Sequence, residues 1–279
     1  MRLYVSVDME GIAGIAHPRQ VTHGDGVDRV DYDRSRSLMA GEANAAIEAA
    51  FELGSSEVVV NDSHWQMRNL RAEDLHAGAR LVIGDKPMSM TEAIDGGDEP
   101  FAGAAFIGYH AGAGHPTGVI AHTFSSATIM AVRVGGVAHN EAGLNAIRLG
   151  HHGVPVILVS GDDALAEEVG ELLPWAERVV VKRGLGYSLA DSRSPADACE
   201  AIRTGMRAAI ERIDGMRTYR PPSLDVEIDF RFPAHAAFAA VLPEAERTGP
   251  RSVGFSASDG EVLYRRFLAA HRLAAAAGL

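Results

Sequence analysis

The sequence predicts an α/β fold: a mostly parallel sheet with helices on both faces, followed by a smaller C-terminal α+β lobe. Three observations carry the prediction. β-Type runs such as Leu3-Tyr-Val-Ser-Val7 and Glu57-Val-Val-Val-Asn61 alternate with segments of helical apolar spacing, the order of βα units. Several of these runs are apolar throughout, as strands covered on both faces must be. Past Thr218 the pattern changes, and Leu224-Asp-Val-Glu-Ile-Asp-Phe-Arg-Phe232 alternates apolar with charged residues like a strand with one wet face. Residues 1–217 are therefore expected to form the α/β domain and residues 218–279 the lobe packed on it.

In chain order, the first strand runs from Arg2 and ends in Asp8 and Glu10, carboxylates at i and i+2 that an extended backbone points to one side. Like charges so close repel, and raise one pKa unless a cation sits between them. Gly11 then permits a tight turn. A loop over 12–29 precedes a helix over 31–53, where Met39, Ala43, Ala46, Ile47 and Ala50 recur at helical spacing and Gly54 supplies the stop. The strand at 57–61 leads directly to Asp62-Ser63-His64. Strands follow at 81–84 and 104–108, with a helical turn or two at 89–94 between them, and the second of these strands ends in Tyr109-His110.

The small-residue loop 111–118 and Ala121-His122-Thr123 lead into a strand at 129–134, whose Gly135-Gly136 predicts a hairpin turn. Asn140-Glu141 starts a helix, with Asn as N-cap and Glu in the first turn where the dipole favours an anion. A buried strand at 154–159, an acidic helix at 162–173, a strand at 178–182 and a helix at 195–212 complete the domain. Tyr219-Arg-Pro-Pro222 connects it to the lobe.

Composition narrows the function. The net charge of -11 argues against nucleic acid, because no basic stripe is present to neutralise phosphates. Cys199 is the single cysteine, so neither an internal disulfide nor a thiolate zinc site can form, and any metal must be held by His and carboxylate. The chain opens without the basic and apolar regions of a secretory signal and has no run of 18 apolar residues, so a cytoplasmic protein with no membrane partner is expected.

In an open α/β sheet, ligands bind beyond the carboxyl ends of the strands, where Asp8, Glu10, His64 and His110 all fall. Two imidazoles and two or three carboxylates without thiolate fit a zinc or manganese hydrolytic centre. A pair of ions needs one bridging carboxylate, and Asp8, the shortest acid on the most rigid element, is the choice, with Glu10 helping one ion. Each of these histidines alone is more often a surface or core residue, and Glu141 alone is explained by the helix dipole. Lys182 is read as an anchor for a substrate carboxylate, against the ordinary alternative of a solvated strand-end lysine. Asp62 is read either as an acceptor orienting an imidazole or as a turn residue. Neither Gly112-Ala-Gly114 nor Gly184-Leu-Gly186 reads as a nucleotide loop, and both are expected to be turns. Ser125 and Ser126 lack an elbow motif for nucleophilic catalysis. Cys199 is expected to pack within its helix.

Taken in order, Ser6-Val-Asp8-Met-Glu10-Gly11, Asn61-Asp-Ser-His64, Gly108-Tyr-His110, Ala121-His122-Thr and Asn140-Glu141-Ala-Gly-Leu-Asn145 resemble the DppA-type zinc D-aminopeptidases. The likeness extends through 153–162 and 181–186, and so covers most of residues 1–190. It implies two zinc ions bridged by Asp8, with Glu10, His64, His110 and Glu141 as the remaining ligands. His122 then matches the family's additional catalytic histidine, with His115 as the rival should the preceding loop differ in length. The resemblance further implies cleavage of an N-terminal D-residue from a short peptide or amide, and assembly into a decamer of two stacked rings of five. Two other readings use the same donors. A dinuclear phosphoesterase needs basic residues near the site, for which Lys182 and Arg183 are available, and a non-catalytic protein would bind metal or amino acid only.

Overall fold

The computed structural model describes residues 1–24, 29–97 and 99–278, so residues 25–28 of the expected 12–29 loop lie outside the described residues. In chain order the elements are β1 (Arg2–Val7), α1 (Pro18–Val21), α2 (Arg29–Glu52), β2 (Glu57–Asp62), β3 (Ala79–Val82), β4 (Gly103–Tyr109), β5 (Ile129–Val134), β6 (Val137–Ala138), α3 (Glu141–His151) and β7 (Val156–Asp162). Then come α4 (Asp163–Leu172), β8 (Glu177–Gly186), β9 (Leu189–Ser192), α5 (Pro195–Glu211), β10 (Asp225–Phe230), α6 (Pro233–Ala239), β11 (Glu246–Arg247), β12 (Ser252–Ser256) and α7 (Gly260–Ala275).

Seven strands form the main sheet in the order β3-β2-β1-β4-β7-β8-β9, parallel except for the β8–β9 pair. Period-two alternation splits its side chains between two cores. Leu3, Val5, Val7, Val58, Val60, Ala105 and Ile107 face α2 and α5. Tyr4, Val59, Ala104 and Phe106 face α3 and α4. The strand order grows outward in both directions from β1 and β4, which makes the gap between their carboxyl ends the switch point where such sheets bind ligands.

At that gap the backbone leaving β1 passes against the backbone leaving β4. A Cβ on Gly11 would lie 1.8 Å from the Tyr109 carbonyl oxygen, and one on Gly108, at φ +70°, would lie 2.4 Å from the Asp8 carbonyl oxygen. Gly11 N–H donates to Gly108 O at 2.8 Å. Two glycines thus set the separation of the two segments that carry Asp8 and His110.

The second sheet is antiparallel, in the order β11-β12-β10-β5-β6, and is covered by α6 and α7 around Val226, Ile228, Phe230, Leu263 and Phe267. Here the expected boundary at residue 218 needs correction. β5 and β6, from the middle of the chain, join this sheet, with Val226 to Phe230 pairing against Val134 to Ile129. Their turn is the expected one: Gly135 and Gly136 both have positive φ, 59° and 79°, as a two-residue hairpin of this twist requires. The smaller lobe is therefore an interleaved unit, and β5 could not announce a partner some 95 residues away.

A second difference lies at β8, which continues past Lys182 to Gly186 and returns as β9. Gly184 lies within this strand, where a Cβ would meet the Thr117 carbonyl oxygen at 2.2 Å. Close backbone approach, not a turn, is its use.

Helix α3 is wedged between the two units, and residues 141–150 are buried all round. Ala142, Ala146 and Leu149 pack toward the main sheet, Leu144 and Ile147 toward the lobe. Among the described residues no helix is long and apolar enough to cross a membrane.

Candidate active site

Each predicted donor stands where an element ends. Asp8 and Glu10 follow β1, His64 follows β2, His110 follows β4 and Glu141 is the first residue of α3, whose N-cap Asn140 accepts from Gly143 N–H at 2.9 Å. The structure brings all five together, joined by His122, in two groups, Asp8-Glu10-His64 and His110-His122-Glu141, with the donor atoms in each group within 4.8 Å of one another. Asp8 links them. Its Oδ1 is 3.2 Å from His64 Nδ1 and its Oδ2 is 3.4 Å from His110 Nε2. His64 Nδ1 is also 2.9 Å from Glu10 Oε2, and Glu141 Oε1 is 3.4 Å from His110 Nε2 and 3.7 Å from His122 Nε2.

The far nitrogen of every ring decides what these contacts are. His64 Nε2 faces Val21 O at 2.6 Å, His110 Nδ1 faces Ala111 O at 2.9 Å and His122 Nδ1 faces Ile120 O at 2.9 Å. A carbonyl oxygen only accepts, so each of these nitrogens carries the proton. In a neutral ring the other nitrogen then presents a lone pair to carboxylate oxygens, and lone pair against lone pair is repulsive without a proton or a cation between them. Asp8 Oδ2, Glu10 Oε2 and His110 Nε2 are buried with no hydrogen-bond partner, which would cost kilocalories each if nothing else bound them. Nitrogen and oxygen donors with backbone-fixed rings fit zinc.

Without a cation, protons are drawn in. Burial and then the neighbouring Glu10 push Asp8 up to about 7. Burial opposes a charged His110, yet Glu141 and Asp8 outweigh it and raise the ring to about 10. His64 is likewise raised well above its usual value, its burial overcome by Glu10 and Asp8. Burial also opposes charge on Glu10 and Glu141, but the histidines beside them hold both below the usual carboxylate range. His122 goes the other way. Burial and the adjacent His110, stacked on it with ring centroids 4.1 Å apart, lower its pKa and keep it neutral.

A buried hydrogen-bonded chain that the sequence did not reveal lies beneath these ligands. Tyr264 Oη donates to Asn145 Oδ1 (2.7 Å), Asn145 Nδ2 donates to Tyr109 Oη (3.0 Å), Tyr109 Oη meets Ser6 Oγ (2.7 Å), and Ser6 Oγ meets Ser63 Oγ (2.6 Å). It joins residues one or two places before Asp8, His64 and His110, and fixes the strand ends relative to one another. The available signal was a polar residue, Ser6, inside an apolar strand.

A cavity of about 720 Å³ opens over the site and is lined by Glu10, His64, His122 and Glu141 within, and by Lys86 and Arg272 among its outer residues. Five of its lining residues, Trp65, Met67, Ser89, Ile120 and Phe124, hold positive φ between 44° and 58° without being glycine. Such conformations persist where the surroundings force them, commonly at functional sites.

Several expectations are corrected. Lys182 does not face the cavity: it is 2% exposed, and its ammonium donates to the carbonyls of Glu10 (2.5 Å), Ile12 (2.9 Å) and Ile15 (2.6 Å), leaving no donor for a substrate carboxylate. Arg183 pairs with Asp191 at 3.8 Å and does not line the cavity either, so the phosphoesterase reading loses both its named cations. His115 stays in its own turn, where Nδ1 accepts from Gly118 N–H at 3.1 Å. The Asp62 carboxylate accepts from Asn69 and Leu70 backbone N–H groups at 2.5 and 2.7 Å, and orients a loop, not an imidazole. Ser125 and Ser126 line the cavity, but His122 directs its nitrogens to Ile120 O and Glu141. Cys199 is half-buried in α5, and a Cβ on Gly41 of α2 would come within 3.8 Å of its Sγ, so it packs between helices.

Known proteins resemble this chain over nearly its whole length. A family model described as D-aminopeptidase matches residues 1–269. The D-aminopeptidase of Bacillus subtilis (strain 168) is 39% identical over 285 residues, covering 98% of each chain. The solved structure described as "Zn-dependent D-aminopeptidase DppA from Bacillus subtilis, a self-compartmentalizing protease" superposes with a TM-score of 0.91 at 38% identity, covering 99% of this chain and 98% of the other.

Proposed function

Since the chain belongs to the D-aminopeptidase family, a family of zinc peptidases, we propose that it removes an N-terminal D-residue from short peptides or amides, using two zinc ions bridged by Asp8. The observation that carries this reading is the two-sided use of Asp8, one oxygen toward His64 and the other toward His110, each ring turning to it the nitrogen that is not held by a backbone carbonyl.

Glu10 and His64 would complete one ion's donors, and His110 and Glu141 the other's. Bound there, two zinc ions would polarise the scissile carbonyl and make hydroxide available at neutral pH. The chain's own groups do the rest. Glu141 Oε1 accepts from Phe124 N–H at 2.6 Å, which holds the 120–124 loop, and with it His122, against the site. Backbone and burial keep the His122 ring neutral, with Nδ1–H on Ile120 O and Nε2 free to take a proton and return it to the leaving amine. The acidic inner wall suits the substrate's α-ammonium group.

His122 also has the position of a third donor to the Glu141 ion. We assign it proton transfer because its side chain is 17% exposed to the cavity, against 1–6% for the five ligands, and lies farthest from a carboxylate. Matched L,L and D,D dipeptides assayed with zinc-loaded enzyme test the reading. Turnover of the D peptide alone is expected, and equal turnover of an aryl phosphate would overturn it. The same reading carries assembly into stacked rings of five and a cytoplasmic location, in keeping with a chain whose one cysteine has no partner.

A further inference from the structure

Of the 26 basic Lys and Arg residues, only Lys86 and Lys182 are lysine. Both place the ammonium among three oxygens close to the site. Lys182 holds the carbonyls of Glu10, Ile12 and Ile15. Lys86 holds Asn61 Oδ1 at 2.6 Å, the Asp62 carbonyl and, more loosely, Val82 O at 3.4 Å. We infer that this pair of lysines, one holding the segment after β1 and the other the end of β2, positions the donors of one metal ion, the Asp8-Glu10-His64 ion, and leaves the other group to its own supports. The inference rests on the proposed two-zinc reading.

The geometry favours lysine for a stated reason. A turn that aims three carbonyls inward leaves them unsatisfied, and a compact ammonium with three rotatable N–H groups can meet all three from one point. A guanidinium is a flat fork and cannot converge on such a set. In a chain that uses arginine for every other cation, lysine stands only at these two positions. Their targets are specific: Lys182 grips the main chain of Glu10 itself, and Lys86 grips the end of β2 two and three residues before His64. Neither touches His110, His122 or Glu141, whose side chains are held instead by the Ala111 and Ile120 carbonyls and the Phe124 N–H.

The two lysines are therefore positioning residues, and the readout is zinc affinity, not turnover. Zinc-free full-length protein and its Lys86→Met, Lys182→Met and Lys86→Arg variants would be titrated against a chromophoric zinc chelator, with melting curves alongside. Wild type binding fewer than two ions would defeat the two-zinc reading and leave the lysines without an object. With two bound, each Met variant should keep one ion at wild-type affinity and hold the other about 10–100-fold more weakly, the usual effect of removing a group that orients ligands. Lys86→Arg should not restore the lost affinity. Unchanged affinities, equal weakening of both ions, or full rescue by arginine would each overturn the inference. Should Lys182→Met fail to fold, Lys86→Met at the cavity rim decides alone; if neither folds, the lysines support the whole fold and the selective role is wrong.

Discussion

Zinc binding should expel protons in a number set by the histidines. In the zinc-free protein at pH 7.5, His110, raised to about 10, and His64, raised well above its usual value, carry protons on the nitrogens that face the carboxylates. A divalent ion needs those lone pairs, so loading both sites releases about two protons, plus about a quarter of one from Asp8 near 7. The product of the two association constants should then rise about 10-fold per pH unit from pH 7.5 to 9 through His110 alone, and more steeply wherever His64 is still protonated. Calorimetric titration of zinc into apo protein, repeated at one pH in buffers of different ionisation enthalpy, gives the proton count directly. Release of fewer than one proton, or a flat pH dependence, would show that the rings are already unprotonated and that the lone-pair argument is mistaken.

Three further outcomes are expected. Asp8→Asn keeps one oxygen but loses the shared charge, and should strip zinc from both groups by metal analysis while the melting temperature of the apo protein holds or rises. His122→Ala should retain two zinc ions and lower kcat by about 10²–10⁴-fold; loss of one zinc instead would make it a ligand. Glu42 concerns stability alone. Its Oε1 accepts from Ala13 N–H at 2.8 Å, its Oε2 is buried without a partner, and burial pushes its pKa to about 7. The folded state therefore binds more protons than the unfolded chain between about pH 4.5 and 7, so this group's contribution is fully present below 4.5 and is lost as pH rises through 7. Glu42→Gln should remove that slope and stabilise the protein at pH 8 by about 2–3 kcal/mol in chemical denaturation.

How much of this was legible in sequence follows physical range. Asp8, Glu10, His64 and His110 are readable as neighbours because parallel strands put their carboxyl ends on one edge, a rule that needs only local patterns. Glu141 was not readable from spacing: a first-turn glutamate is satisfied by the dipole, and only the fold brings His110 and the Phe124 amide to it. Lys182 misled because a strand-end lysine is usually wet, and its three acceptors come from a loop some 170 residues earlier. The lobe boundary failed likewise, since β5 carries the pattern of any strand and says nothing of where its partner lies.

The interleaving of the lobe also orders events during synthesis. β5 waits for β10, and α3, whose first residue is Glu141, has its outer side covered by α7, the last helix of the chain. A ribosome-bound chain that has exposed Asp8, His64 and His110 still lacks the pressure that seats the fifth donor. Under the proposed two-zinc reading, high-affinity capture of the second ion should wait until residues 260–275 are available to pack, and a chain cut before Gly260 should hold one zinc at most.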